Sequence, residues 1–234
     1  MKNAGQLLNQ FLGGQGAGGA GGGTGVDLQS MLSGKGGLAT GAVVGGLAGL
    51  MLGGKKPKKI AKKALKVGGV ALVGGLAYKA YRDWQNNKAT APAPLDEADL
   101  AAPADSAFLP QAAAAQDDLG TALVRAMINA AKADGHITPD ERARISEQLG
   151  RLSLENSHRQ FVETELAKPM DIEAVAGSVD CPEQKAEIYL ASVLIVDRNG
   201  PAEQGYLAML AARMGLEADL VAHLHAAADA AEQE

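Results

Sequence analysis

Two acidic turns of similar sequence hold the residues of this chain that are best suited to chemistry. In the first turn an apolar helical pattern ends at Asp134, a glycine and a proline follow, and Glu141 begins the next helical pattern. The second turn repeats this order, with Asp197 in place of Asp134 and Glu203 in place of Glu141. If the two helix–turn–helix units are related by pseudo-symmetry, both turns lie at one end of a bundle. The sequence then brings four carboxylates together.

Four converging carboxylates repel one another unless a cation, a basic side chain or a proton relieves the charge. Oxygen ligands alone suit Ca²⁺ or Mg²⁺ rather than Zn²⁺. The metal hypothesis is therefore a Ca²⁺ or Mg²⁺ site formed by Asp134, Glu141, Asp197 and Glu203. A competing interpretation needs no metal: the aspartates are turn residues that end helices, and the glutamates complement the dipoles of the helices that follow.

Helical periodicity from residue 117 onwards supplies the elements that position these turns. It predicts helices near 117–133, 139–151, 155–167, 171–178, 183–197, 201–214 and 217–231. Thr138-Pro139-Asp140-Glu141 is typical of a helix start, with a capping residue, a proline at the first position and acids in the first turn. No alternating Val/Ile-rich run predicts a strand. The expected fold is all-α, with a C-terminal bundle of about seven helices and an internal pseudo-repeat.

Charge and glycine content divide the chain into two different parts. Residues 1–90 hold 12 Lys and Arg against 2 acids, a net charge of +10, whereas residues 91–234 hold 10 against 25, a net charge of −15. Of the 30 glycines, 23 precede residue 76. We expect a flexible glycine-rich N-terminus over 1–34, a membrane-associated region over 35–85, an Ala/Pro linker over 86–116 and the helical domain over 117–234.

The stretch from Gly36 to Gly54 has the pattern of a membrane-embedded helix. Its 19 residues carry no charge. As a helix they would extend about 28 Å, close to the roughly 30 Å of a bilayer core. A glycine at every fourth residue would leave a smooth stripe for helix packing and self-association, a glycine zipper. These glycines are Gly37, Gly41, Gly45, Gly49 and Gly53. The alternative is a flexible glycine-rich linker.

A second apolar segment, 67–81, follows a cluster of seven lysines in residues 55–66. Because 15 residues are few for a span, this segment would either complete a helical hairpin or lie in the membrane interface. Tyr78, Tyr81 and Trp84 suit an interfacial belt. The positive-inside rule places the lysines on the cytoplasmic side of a bacterial inner membrane. Nucleic-acid binding is disfavoured for the cluster, since apolar segments flank it.

The two turns resemble those of a known family. Ala-Asp-Gly-His-Ile-Thr-Pro-Asp-Glu-Arg at 133–142 and Asp-x-x-Gly-Pro-Ala-Glu-x-x-Tyr-Leu at 197–207 are similar to tellurite-resistance TerB-like domains. With its glycine-rich, lysine-interrupted N-terminus, the whole chain resembles the uncharacterised inner-membrane proteins of the YebE type. The resemblance implies an all-helical bundle whose paired acidic site holds a divalent metal, at positions Asp134, Glu141, Asp197 and Glu203. The chain departs from the pattern at Arg198, where a second acid would strengthen metal binding.

No catalytic motif stands out in the sequence, and the only cysteine, Cys181, has no histidine close to it in the chain. We therefore expect a non-enzymatic, membrane-anchored accessory protein whose acidic domain binds a protein partner, a divalent cation or both. The expected partners are the lipid bilayer, a second copy of the chain and an unknown protein, with no nucleic acid. The alternative is a membrane-tethered stress factor for metals or oxyanions such as tellurite. A third hypothesis is an enzyme that acts through the carboxylates.

Overall fold

The structure, a computed structural model, describes residues 69–92, 102–103, 106–108, 110, 112–135, 137, 143, 156–196 and 198–233. Within these ranges the chain forms seven helices and no strand, which confirms the all-α class. The helices are α1 (Gly69–Gln85), α2 (Ala113–Ala131), α3 (Asn156–Ala167), α4 (Ile172–Ala176), α5 (Pro182–Ile195), α6 (Pro201–Met214) and α7 (Ala218–Gln233). The last six agree with predicted helices, whereas most of the predicted helix 139–151 lies outside the described residues.

Helix α5 lies at the centre of the bundle. Every residue from Ala186 to Ile195 is buried, because α1, α2, α6 and α7 all pack against this helix. Burial on all sides, with mostly apolar residues, is typical of a helix inside a domain rather than at its surface. Around it, α3 and α4 pack against α2, and α6 also packs against α4.

Local sequence signals set the ends of these helices. Pro182 and Pro201 occupy the first turns of α5 and α6, where a missing N–H costs nothing. The Asp171 carboxylate caps α4 by accepting a hydrogen bond from the Ala174 N–H at 2.9 Å. Gly215 ends α6 with a φ of +67°, a left-handed conformation that glycine adopts without strain.

Helix α1 is a core helix, whereas the sequence predicted that segment 67–81 completes a helical hairpin or lies in a membrane interface. Leu72, Val73, Leu76, Ala77 and Ala80 are all buried and share one face, which packs against α5 and α7. This spacing is that of an amphipathic helix whose apolar side meets protein. The same pattern suits a membrane surface, so periodicity alone did not distinguish the two environments.

The packed core also includes a residue of the predicted linker 86–116. Phe108, in the predicted linker, is 4% exposed and belongs to the core. Its ring lies 5.8 Å from the Tyr78 ring and 5.7 Å from the Tyr81 ring, and Trp84 lies 5.2 Å from Tyr81, measured between centroids. The aromatic residues assigned to a membrane belt therefore form a cluster over Phe108.

Among the described residues, no helix combines the length and the apolar character needed to cross a membrane. The predicted flexible N-terminus, the uncharged stretch 36–54 and the lysine cluster 55–66 lie outside the described residues. So do the five glycines of the expected stripe, namely Gly37, Gly41, Gly45, Gly49 and Gly53.

Candidate functional site

The first acidic turn follows α2. Asp134 is exposed and interacts with another group of the protein. Glu141 lies outside the described residues. Gly135 has a φ of +107°, and its N–H donates to the Lys132 carbonyl oxygen at 2.8 Å. A side chain is strained at such a φ, which accounts for the glycine at this turn.

The second acidic turn precedes α6. Asp197 lies outside the described residues, whereas Glu203 stands in the first turn of α6. The Glu203 carboxylate folds back over Gly200, the N-cap residue, and occupies the space that a Cβ at Gly200 would need. A carboxylate held there complements the positive end of the helix dipole. This geometry supports the interpretation of Glu203 as a residue that stabilises a helix start.

The described residues do not gather three or more histidine, cysteine or acidic side chains that could hold a metal ion. Of the four predicted ligands only Asp134 and Glu203 fall within that part of the chain, so the predicted set as a whole stays a prediction.

Arg198 connects the second turn to α7 through two ion pairs. Its Nη1 lies 2.5 Å from Asp229 Oδ1 and its Nη2 lies 3.1 Å from Glu232 Oε1. Next to this ion pair, His225 Nε2 lies 3.0 Å from the hydroxyl of the buried Tyr189. Burial raises the pKa of Tyr189 to about 12 and, together with the nearby Arg198, lowers the pKa of His225. A tyrosine and a histidine held in these states form a neutral hydrogen-bonded pair at neutral pH.

Two polar residues at the C-terminal end of α2 stabilise the connection between α3 and α4. The buried Lys132 ammonium donates to the carbonyl oxygens of Glu165 at 2.6 Å and Lys168 at 2.7 Å, which belong to the unpaired end of α3. The Asn129 side-chain oxygen accepts a hydrogen bond from the Asp171 N–H at 2.7 Å. Asn129 and Lys132, which precede the first acidic turn, thus stabilise neighbouring helix ends.

Glu187, in the middle of α5, is the unusual group of this bundle. It is fully buried, and neither carboxyl oxygen has a hydrogen-bond partner among the described residues. It faces Gly74 of α1: a Cβ at Gly74 would lie 3.2 Å from Glu187 Oε1 and 2.8 Å from the Phe108 carbonyl oxygen. Burial raises the pKa of Glu187 well above its usual value. Sequence analysis missed this residue, although a single acid in the apolar run 186–196 was a usable signal.

The fold and these contacts define a helical bundle in which buried polar residues stabilise helix ends. Comparison with known proteins places the chain in a family. The family model described as "Protein of unknown function (DUF533)" matches residues 37–228, and the chain belongs to this family, which is related to TerB-like proteins. The matched range begins before α1 and ends within α7. It therefore includes both the bundle and residues that were predicted to form a membrane anchor.

One curated relative is described as "Uncharacterized protein in ampR 5'region", from Yersinia enterocolitica. It is 28% identical to the chain over 98 residues, which cover 42% of this chain and 70% of that protein. No solved structure matches the chain significantly.

Proposed function

We propose that the protein is a non-enzymatic, membrane-anchored accessory module, in which residues 36–54 insert into the bilayer and the helical bundle binds a protein partner close to the membrane surface. The observation that carries this proposal is the position of α1. This core helix begins three residues after Lys66, the last residue of the lysine cluster.

This short separation limits how far the bundle lies from the lysine cluster. Three residues span at most about 11 Å of extended chain. A lysine cluster next to a bilayer is attracted to anionic headgroups, with about 1 kcal/mol for each lysine near the surface. If residues 36–54 are inserted, the bundle is therefore held at the membrane surface rather than on a long tether.

A protein is the partner that the described geometry favours over a cation. The Glu203 carboxylate is directed at its own helix start, and Arg198 adds positive charge to the second turn while it binds α7. The net charge of −15 over residues 91–234 suits a partner with a basic surface. Self-association through the glycine stripe at Gly41, Gly45 and Gly49 belongs to the same proposal.

The test compares the full chain with two internal deletions in bacterial membranes washed with high salt and then with alkaline carbonate. Deletion of 36–54 should move the protein into the soluble fraction, or leave it bound only until the salt wash. Deletion of 13–25, a glycine-rich tract outside the proposed membrane segment, is the matched control and should stay in the membrane with the full chain. Release of the full chain by salt alone would mean electrostatic adsorption and would refute insertion.

A further inference from the structure

The contact between α1 and α5 contains a feature that a permanent core contact does not need. A carboxyl group, Glu187, is fully buried there, and in the part of the chain that the structure describes it has no hydrogen-bond partner. An unpaired polar group in a protein interior is costly, and an unpaired charge much more so. The glycine at position 74 is what lets α1 approach this carboxyl group.

Burial alone accounts for the raised pKa of Glu187, because no charged group contributes to it. The salt bridges formed by the elements packed against α5 join other residues. On α1, Lys79 binds Asp83 at 2.7 Å; on α2, Arg125 approaches Glu165; on α6, Arg213 binds Glu173; on α7, Asp229 binds Arg198. His223 of α7 lies against the carbonyl oxygens of Asp219 at 2.7 Å and of Lys88 at 3.0 Å, beyond the end of α1.

We propose that α1 is a releasable helix, and that loss of the Glu187 proton frees it from the bundle. With the proton present, the neutral carboxyl group is tolerated against Gly74 and the apolar face of α1 stays docked. Without it, a carboxylate would be buried with no counter-charge from the described residues, and moving α1 away is the change that admits water to it.

The sign of the pH dependence follows from the direction of the pKa shift. In the released state the carboxyl group is solvated and has the ordinary pKa of about 4.5, whereas in the docked state the pKa is higher. Below 4.5 both states hold the proton and docking is unaffected. Above pH 4.5 the ratio of released to docked protein rises by up to tenfold for each pH unit. The rise stops when the pH passes the higher pKa of the docked state.

Release would change the tether between the lysine cluster and the rest of the bundle, a consequence that rests on the proposed function. Docked α1 keeps Lys66 within about 11 Å of the bundle. When α1 is free, residues 67–112, a stretch of 46, become the connection to α2. A flexible chain of that length has a root-mean-square span on the order of 40 Å.

Trp84 is the only tryptophan of the chain and lies on α1, so its accessibility reports release of this helix. The experiment uses the full chain in a neutral detergent and measures quenching of Trp84 fluorescence by acrylamide from pH 4 to pH 9. Quenching of the wild type should rise with pH along a single-proton curve. Glu187→Gln, which keeps the shape of the side chain without its charge, should remove that rise. Because detergent replaces the membrane, failure of membrane insertion leaves this result intact.

A matched control variant, Glu183→Gln, makes the comparison with Glu187→Gln specific. Glu183→Gln removes a carboxylate one helical turn earlier on α5 and should keep the wild-type pH dependence. Both Glu187→Gln and Glu183→Gln retain His223, so that histidine does not explain a difference between them. A wild-type curve that is flat, or a Glu187→Gln curve that rises like the wild type, overturns the proposal.

A third variant keeps the proposal falsifiable if circular dichroism shows that Glu187→Gln does not fold. Gly74→Ala would put a Cβ 2.8 Å from the Phe108 carbonyl oxygen, a backbone atom that cannot turn aside. It should expose Trp84 even at pH 5, and unchanged exposure would overturn the proposal.

Discussion

The carboxylate of Glu203 occupies the place of a side chain at Gly200. Glycine at this N-cap position lets the carboxylate of its own helix approach the first turn of α6, where it complements the positive end of the dipole.

This relationship predicts opposite effects for two glycine-to-alanine substitutions in the same part of the chain. Gly200→Ala should displace the Glu203 carboxylate and destabilise the protein by about 0.5–1 kcal/mol. Gly205→Ala, inside α6 where an added Cβ meets nothing within 4 Å, should stabilise it by about 0.5–1 kcal/mol. Urea unfolding of the two variants and the wild type measures both values. Equal effects of the two substitutions would contradict the role given to Glu203.

The helix-start role of Glu203 also predicts how the protein responds to divalent cations. Millimolar Ca²⁺ or Mg²⁺ should give the same melting temperature as a monovalent salt of matched ionic strength, since screening acts in both. A cation at 100 times its dissociation constant would instead stabilise the folded state by about 2.7 kcal/mol. A shift of that size, abolished by Asp134→Asn together with Asp197→Asn, would establish the metal site in place of the capping role.

Lys132 should be important for the stability of the α3–α4 region. Lys132→Met keeps the aliphatic stem but leaves the Glu165 and Lys168 carbonyl oxygens without their donor, at an expected cost of about 2–3 kcal/mol. Lys185→Met, at a half-buried position on α5, is the control and should change stability by less than about 0.5 kcal/mol. Hydrogen exchange should show faster opening at the end of α3 in the first variant only. Unchanged exchange there would contradict the anchoring role.

His225 should make the protein less stable in mild acid. Burial and Arg198 lower its pKa in the folded state, so as the pH falls below about 6.5 the unfolded chain takes up a proton that the folded chain does not. Stability is therefore complete above pH 6.5 and decreases as the pH falls towards the lower, folded-state pKa. His225→Gln should reduce the difference between urea midpoints at pH 8 and pH 5. A difference equal to that of the wild type would assign the acid sensitivity to other groups.

The helices of the C-terminal part could be predicted because their signals are local. Pro182, Pro201 and Asp171 mark helix starts, and apolar spacing marks the buried faces. The position of α1 could not be predicted in the same way. Its apolar face fits protein and lipid equally well, and only the long-range contacts with α5 and α7 decide between them.

The residues of the site also differ in whether the local sequence or contacts between distant parts of the chain determine their roles. Gly135 and Gly200 align poorly in the pseudo-repeat, and glycine is required at the two positions for different reasons. Gly135 has a positive φ, whereas at Gly200 the Glu203 carboxylate leaves no room for a side chain. The burial of Glu187 depends on Gly74, more than one hundred residues away in the chain, and no local pattern records such a pair.

Helix α1, which follows the lysine cluster in the chain, is part of the core of the bundle. Its contribution to folding is measured by comparing the thermal unfolding of chains that start at residue 67 and at residue 91. The second chain lacks three large buried side chains of α1, Leu72, Val73 and Leu76. Each contributes about 1.5–3 kcal/mol, so the loss is a large part of the stability of an ordinary domain. We predict cooperative unfolding for both chains, with a much lower melting temperature for the chain from residue 91, in which the rest of the bundle folds without α1. Equal melting temperatures for the two chains would contradict the place of α1 in the core.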